Sequence, residues 1–350
     1  MRKLTDLKLL ILIIIAIANN YEPVKSQQTK RFFSDTSFWN QPLPQNPEID
    51  PNSSRWIIML KQEPTGENFG ISCNKWTVPV YEVDSSTPVY EIKKHYLTKG
   101  EKLNWATIRN FFGHGPGFDK VPVPVAASPD PENDAHFAVV DRTHKIGWDM
   151  WAFRKLPDGS FESKTGMTYP LDGPGVYNTE SYNIIDGESV HFHGPSRAAG
   201  VPIIAGLIMY DEVMAGEIRH KLSCATRYGA FQEFVYPATW TDGTVDGGIP
   251  EGAVIQLDPT LDLSRFGLTW EETIVAKALQ RYGMVVVDMA EGQPIYAEGL
   301  WGHSGKSWKG KLREWDGGIN SIPYDCYRIL KIKNSVYRGD AKSKKKLLQH

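Results

Sequence analysis

Proline and glycine interrupt this chain so often that long helices have little room to form. Among 350 residues stand 23 prolines and 31 glycines; proline removes a backbone donor and glycine favours turns, so the pieces between them are short. Short apolar runs bounded by such residues read as strands. These are "KWTVPVYEV" (75–83), "PVYEIKKHYL" (88–97), "HFAVVDR" (136–142), "IGWDMWAFRK" (146–155), "VPIIAGLIMY" (201–210), "GAVIQL" (252–257), "MVVVDM" (284–289) and "QPIYAEG" (293–299).

Only three stretches carry helical signals. In "TWEETIVAKALQRYG", Thr269 and Glu272 have the spacing of a capping box, Trp270, Ile274, Ala278 and Tyr282 share a face, and Gly283 can close the helix in the left-handed region. "EVMAGEIRHKLSCA" (212–225) is interrupted by Gly216, and "NWATIRNFF" (104–112) is short. Many strands with few helices predict a mainly β fold, an antiparallel β-sandwich-like single domain with a few short helices. No compositional break divides residues 31–334, which are expected to form that domain.

The ends read differently. Arg2, Lys3 and Lys8 precede the apolar run Leu9 to Ala18, which ends in Ala16-Ile17-Ala18. This is the pattern of a secretory signal peptide over residues 1–18, too short to span a bilayer, with an uncleaved anchor as the alternative. Residues 19–30 follow as a polar linker, and residues 335–350 form a basic tail. The expected product is a secreted monomer with no stable membrane association after cleavage. A formal charge of −2 offers no field for a nucleic-acid partner. Cys73, Cys224 and Cys326 allow at most one disulfide.

No nucleophile elbow, Walker loop, zinc-protease motif or dinucleotide fingerprint occurs. His191 and His193, two apart, would leave one face of a strand, but a closed metal site needs further ligands from afar, such as His136, His220 or Asp149. Neither a metal nor a cofactor is expected. Carboxylates point more clearly to chemistry. Asp149 lies among Trp148, Met150 and Trp151, where an acid loses solvent and its pKa should rise, as a general acid requires. Asp288 ends an apolar run, and Asp242 is a further candidate partner. The 11 tryptophans and 15 tyrosines offer flat faces suited to sugar rings.

The blocks "SFWNQPLP", "HFAVVDR", "AGLIMYDEVMAGEIRHKL" and "ALQRYGMVVVDM" resemble, in this order, a group of secreted bacterial and fungal proteins of uncharacterised function. The likeness covers about residues 35–300 and implies no particular reaction. It singles out His136, Asp149, Asp211, Glu212, His220, Tyr282 and Asp288 as matching positions, whereas His191 and His193 match nothing in the pattern. After Gly299, "LWGHSGKSWKGKLREWDGG" replaces a shorter segment.

Together these signs predict a carbohydrate-active enzyme cleaving a polysaccharide, a glycoside hydrolase with Asp149 as general acid and Asp288 or Asp242 as partner. His136 and His220 would orient the acids, Tyr282 would join the catalytic set, and Trp148, Trp151, His191, His193 and Arg197 would contact substrate. A polysaccharide lyase using Tyr and His is the close alternative, and a non-catalytic glycan- or cell-wall-binding protein the second.

Overall fold

The computed structural model describes residues 31–94, 117–176 and 197–337. The expected signal peptide, the 104–112 helix, His191 and His193 lie outside the described residues. Strand exceeds helix about two to one, 29% against 15%, so the fold is mainly β with short helices. The helices are α1 (Ser53–Leu60), α2 (Tyr210–Met214) and α3 (Trp270–Arg281).

Four sheets organise the strands. The largest runs in the order β1 (Gly70–Ser72), β15 (Pro294–Tyr296), β10 (Leu222–Ala225), β14 (Met284–Asp288), β13 (Val254–Leu257) and β17 (Tyr327–Ile329). A five-stranded sheet runs β16 (Glu298–Gly299), β2 (Val78–Val83), β5 (Phe137–Asp141), β6 (Ile146–Trp151) and β9 (Thr165–Pro170). A four-stranded sheet holds β4 (Gly117–Pro122), β3 (Val89–Lys94), β8 (Phe161–Ser163) and β7 (Arg154–Lys155); a small one holds β12 (Ile249–Glu251), β11 (Gly229–Phe234) and β18 (Val336–Tyr337). Parallel pairs such as β10 with β14 and β2 with β5 make the sheets mixed. β18, paired with β11, carries the fold into the stretch read as the start of the basic tail.

Alternation along the strands explains the layers. On β14, Met284 and Val286 pack with Ile57, Leu60, Ile274, Val275 and Leu279 of α1 and α3, while Val285 and Val287 face the other way. There they meet Val78 and Val80 of β2 and Ala138 and Val140 of β5, so a core fills the space between the two large sheets as in a sandwich. The opposite face of the five-stranded sheet, with Phe137, Val139 and Met150, packs on Ile92, Val121 and Phe161 of the four-stranded sheet. β5 and β6 pair antiparallel from Phe137 with Met150 to Asp141 with Ile146, as the short connection between them predicts.

Two expectations fail for identifiable reasons. The run 201–210 is apolar and buried through Ile208, yet it turns repeatedly, Gly206 standing at φ 75°, and makes only an isolated bridge from Ile208 to Ala297 before α2 starts. Complete burial, not strand pairing, is what its hydrophobicity records. The helix expected over 212–225 ends at Met214, because Gly216 adopts φ 93°, and residues 222–225 become β10. By contrast α3 has the full capping box, Thr269 Oγ1 accepting from the Glu272 N–H at 3.0 Å and Glu272 Oε2 from the Thr269 N–H at 2.9 Å. No helix among the described residues is long and apolar enough to cross a membrane.

Candidate functional site

One end of the five-stranded sheet opens a cavity of about 590 Å³ beside β14 and β15. The start of β5 contributes His136, the end of β6 contributes Trp151, and the start of β9 contributes Thr165, three ends that antiparallel pairing brings together. β14 ends there in Asp288, and β15 supplies Tyr296. Lys75, Trp76, Asp134, Arg197, Asp242 and Trp315 reach in from the connections.

Local structure holds these groups in place. The turn at 197–200 is fastened to the segment before Asp242: the N–H groups of Thr239 and Trp240 both donate to the Ala199 carbonyl, at 2.9 and 3.1 Å. Gly200, at φ 63°, is required there, because a Cβ would come within 2.3 Å of Thr239 Oγ1. Trp315 lies over Gly70, where a Cβ would fall 2.2 Å from the indole, so only glycine lets the ring settle at the cavity. On the other wall, buried Asp130 accepts from the N–H of Thr77 at 2.7 Å and of Glu132 at 2.9 Å, tying the loop before β5 to the residues after Trp76. Burial raises the Asp130 carboxyl to about 6 against these hydrogen bonds. The Trp151 indole N–H donates to Asp134 Oδ1 at 3.1 Å.

Backbone conformation is unusual around this site. Trp76 (φ 54°), Ala135 (φ 39°) and Ala152 (φ 53°) all occupy the left-handed region that side chains disfavour, and they are, or adjoin, lining residues. Strain of this kind persists where surrounding structure over-determines it, commonly at functional sites.

The electrostatics centre on Asp288. Burial and the neighbouring Asp242 charge push its carboxyl up to about 8, Arg197 draws it down, and Asp134 adds to the rise. Arg197 is 2% exposed. Its Nη1 donates to Asp288 Oδ2 at 3.3 Å, and its guanidinium stacks 4.1 Å from the centre of the Tyr296 ring. Behind Asp242 lies Glu251, with no exposed surface, raised well above the ordinary carboxylate range by burial and then by Asp242 and Asp288. The site therefore gathers several carboxyls, Asp288 among them with its pKa raised, against three indole faces.

Of the residues expected from sequence, Asp288, Asp242, His136, Trp151 and Arg197 meet in this cavity. Asp149 does not line it. Facing the core between the two sheets, Asp149 is fully buried, accepts from the Tyr169 hydroxyl at 2.5 Å and from the Ile203 N–H at 2.6 Å. The irregular run 201–207 has no ladder partner for that N–H, and Asp149 supplies one. Trp148 points to the opposite face of β6 and packs on the third core. His220 is buried against Glu212, with Nε2 2.8 Å from Glu212 Oε2; burial favours the neutral ring, but Glu212 and the Lys221 carbonyl outweigh it and raise its pKa. Tyr282 closes α3, its phenol raised by burial and then by Glu217. Neither lines the cavity.

Asp134, Glu251, Tyr296, Trp76 and Trp315 were not singled out in the sequence. Asp134 stands two residues before His136 in "NDAH", which was a usable signal; nothing local distinguishes the others. All three cysteines are free. Among the described residues no group of three His, Cys, Asp or Glu side chains is arranged to hold a metal ion. No family model, curated protein or solved structure matches the chain.

Proposed function

We propose that the protein is an exported carbohydrate-active enzyme that hydrolyses a polysaccharide, with Asp288 as general acid and Asp242 as its carboxylate partner. The observation that carries this reading is a carboxyl raised to about 8 beside a second acid in a cavity walled by Trp76, Trp151 and Trp315. Indole faces suit the apolar faces of sugar rings, and the polar groups between them suit hydroxyls. In the reaction, Asp288 gives its proton to the glycosidic oxygen as the bond to the anomeric carbon breaks. Water adds to that carbon and yields its proton to Asp242, so one water is consumed per bond and both acids are then reset by exchange with solvent. His136 and Tyr296 border the same space and would contact the bound sugar.

Two features weigh against the alternatives. A lyase would need a cation for a uronate carboxylate; Arg197 is buried and engaged by Asp288 and Tyr296, so Lys75 would have to serve, and the raised carboxyl of Asp288 suits giving a proton to a leaving oxygen rather than abstracting one from carbon. A non-catalytic binder would present a flat aromatic strip, whereas these indoles surround acids in a concavity. The test is a panel of neutral, acidic and amino-sugar polysaccharides incubated with the purified secreted protein, reading both reducing ends and unsaturated products. New reducing ends without unsaturation are expected; unsaturated products, or binding without cleavage, would overturn the assignment.

A further inference from the structure

The β5–β6 hairpin opens onto the cavity through a pair of left-handed alanines that bring Asp134 against Trp151. After Trp151 the chain turns at Ala152, φ 53°, so that the Ala152 N–H donates to the Asp134 carbonyl at 2.8 Å and the Phe153 N–H to the Ala135 carbonyl at 3.1 Å. Ala135, at φ 39°, makes the matching turn before β5. The Trp151 backbone is fixed from the other side as well, its carbonyl accepting from the Ser163 hydroxyl at 2.7 Å and from the Lys164 N–H at 3.0 Å. A fixed backbone does not fix the ring, because the outer torsion of a tryptophan side chain is broad. The bond from the indole Nε1 to Asp134 Oδ1, 3.1 Å long, sets that torsion, and a carboxylate is a stronger acceptor than a neutral oxygen or water would be. The Lys164 ammonium, 5.6 Å from the ring centre, lies over the indole. Both Asp134 and Trp151 line the cavity.

We propose that Asp134 is a positioning residue that fixes the Trp151 indole as a stacking platform for a sugar ring in the cavity. This rests on the reading of the cavity as a glycan site. A platform held in one orientation spares the cost of ordering it when the sugar binds, so its loss is felt in binding before chemistry.

Proton–nitrogen NMR spectra of the full-length protein test the hydrogen bond without reference to any substrate, the Trp151 indole signal being identified by its absence in Trp151→Phe. In Asp134→Ala that signal should shift and its proton should exchange with solvent about fivefold or more faster, while Asp134→Asn, whose amide oxygen still accepts, should keep it protected. An indole signal unchanged in D134A overturns the proposal. Should D134A fail to fold, Asp134→Ser, whose hydroxyl is too short to meet the indole, takes its place. Kinetics on a cleaved glycan give the second readout: D134A should raise KM about tenfold with kcat changed less, and D134N should stay within about threefold of the wild-type KM. In a W151F background, which has no N–H to hold, the effect of D134A on KM should largely vanish. An equal rise in D134N and D134A, or an undiminished effect in W151F, contradicts the assignment. If no polysaccharide is cleaved, the hydrolase reading fails while the spectra still decide whether Asp134 holds the ring.

Discussion

Two aspartates of similar appearance in the sequence do different work because of what surrounds each one. Asp149 accepts two hydrogen bonds between the sheets, one from a backbone N–H with no other partner at hand. Replacing it by Asn puts an amide where two donors already point, and the expected result is a loss of about 1–3 kcal/mol with activity per folded molecule near wild type. Urea denaturation alongside an assay normalised to folded protein measures both. Asp288 faces the cavity, and under the proposed hydrolysis its exchange for Asn would remove the proton the leaving oxygen needs. Trp315 should act on binding: W315A is expected to raise KM about tenfold on a long glycan with kcat changed less, because in the proposed hydrolase an indole stacked on sugar would contact it in ground and transition state alike. A fall in kcat with KM unchanged would instead place this indole in the chemistry.

At the level of elements, legibility followed how local the causes were. α3 could be read because a capping box and a helical stripe are short-range, and the structure shows both hydrogen bonds of the box. Thr269→Ala should cost about 1 kcal/mol, and Glu272→Ala more, about 2–3 kcal/mol, because its buried carboxylate accepts from the Thr269 and Arg313 N–H groups as well as from the Arg313 guanidinium; thermal melts of the two variants check the order. The β5–β6 hairpin was legible for the same reason. The run 201–208 was not, since a wholly buried turn segment and a buried strand have the same composition, and only the Asp149 to Ile203 contact, 54 residues apart, separates them. That contact also explains why Asp149 looked catalytic. An acid among indoles signals burial, and the sequence does not say whether burial opens on a cavity or on a core. Asp288, Asp242, His136, Trp151 and Arg197 were found as candidates, but their meeting depends on strand ends that come together only through the sheet order.

Across the whole molecule, the buried acids set how stability responds to pH. Asp130 is raised to about 6, Glu298 to about 7 and Asp288 to about 8, in each case chiefly by burial. The folded chain therefore binds more protons than the unfolded chain between about pH 4 and 8, and stability falls as pH rises through that window. His220, also raised, acts in the same direction as pH passes its ordinary value. The melting temperature at pH 5 should exceed that at pH 8.5 by about 5 °C or more, and Asp288→Asn should shrink the difference; a flat or rising profile would contradict these environments. The same shift on Asp288 gives the most direct test of the hydrolase account. On the glycan that the panel identifies, kcat/KM is measured against pH for the wild type, Asp288→Asn and Asp149→Asn. The account predicts a wild-type alkaline limb near pH 8, a drop of about 10²-fold or more in D288N, and a D149N profile superimposable on wild type; an active D288N with an inactive, fully folded D149N would contradict it.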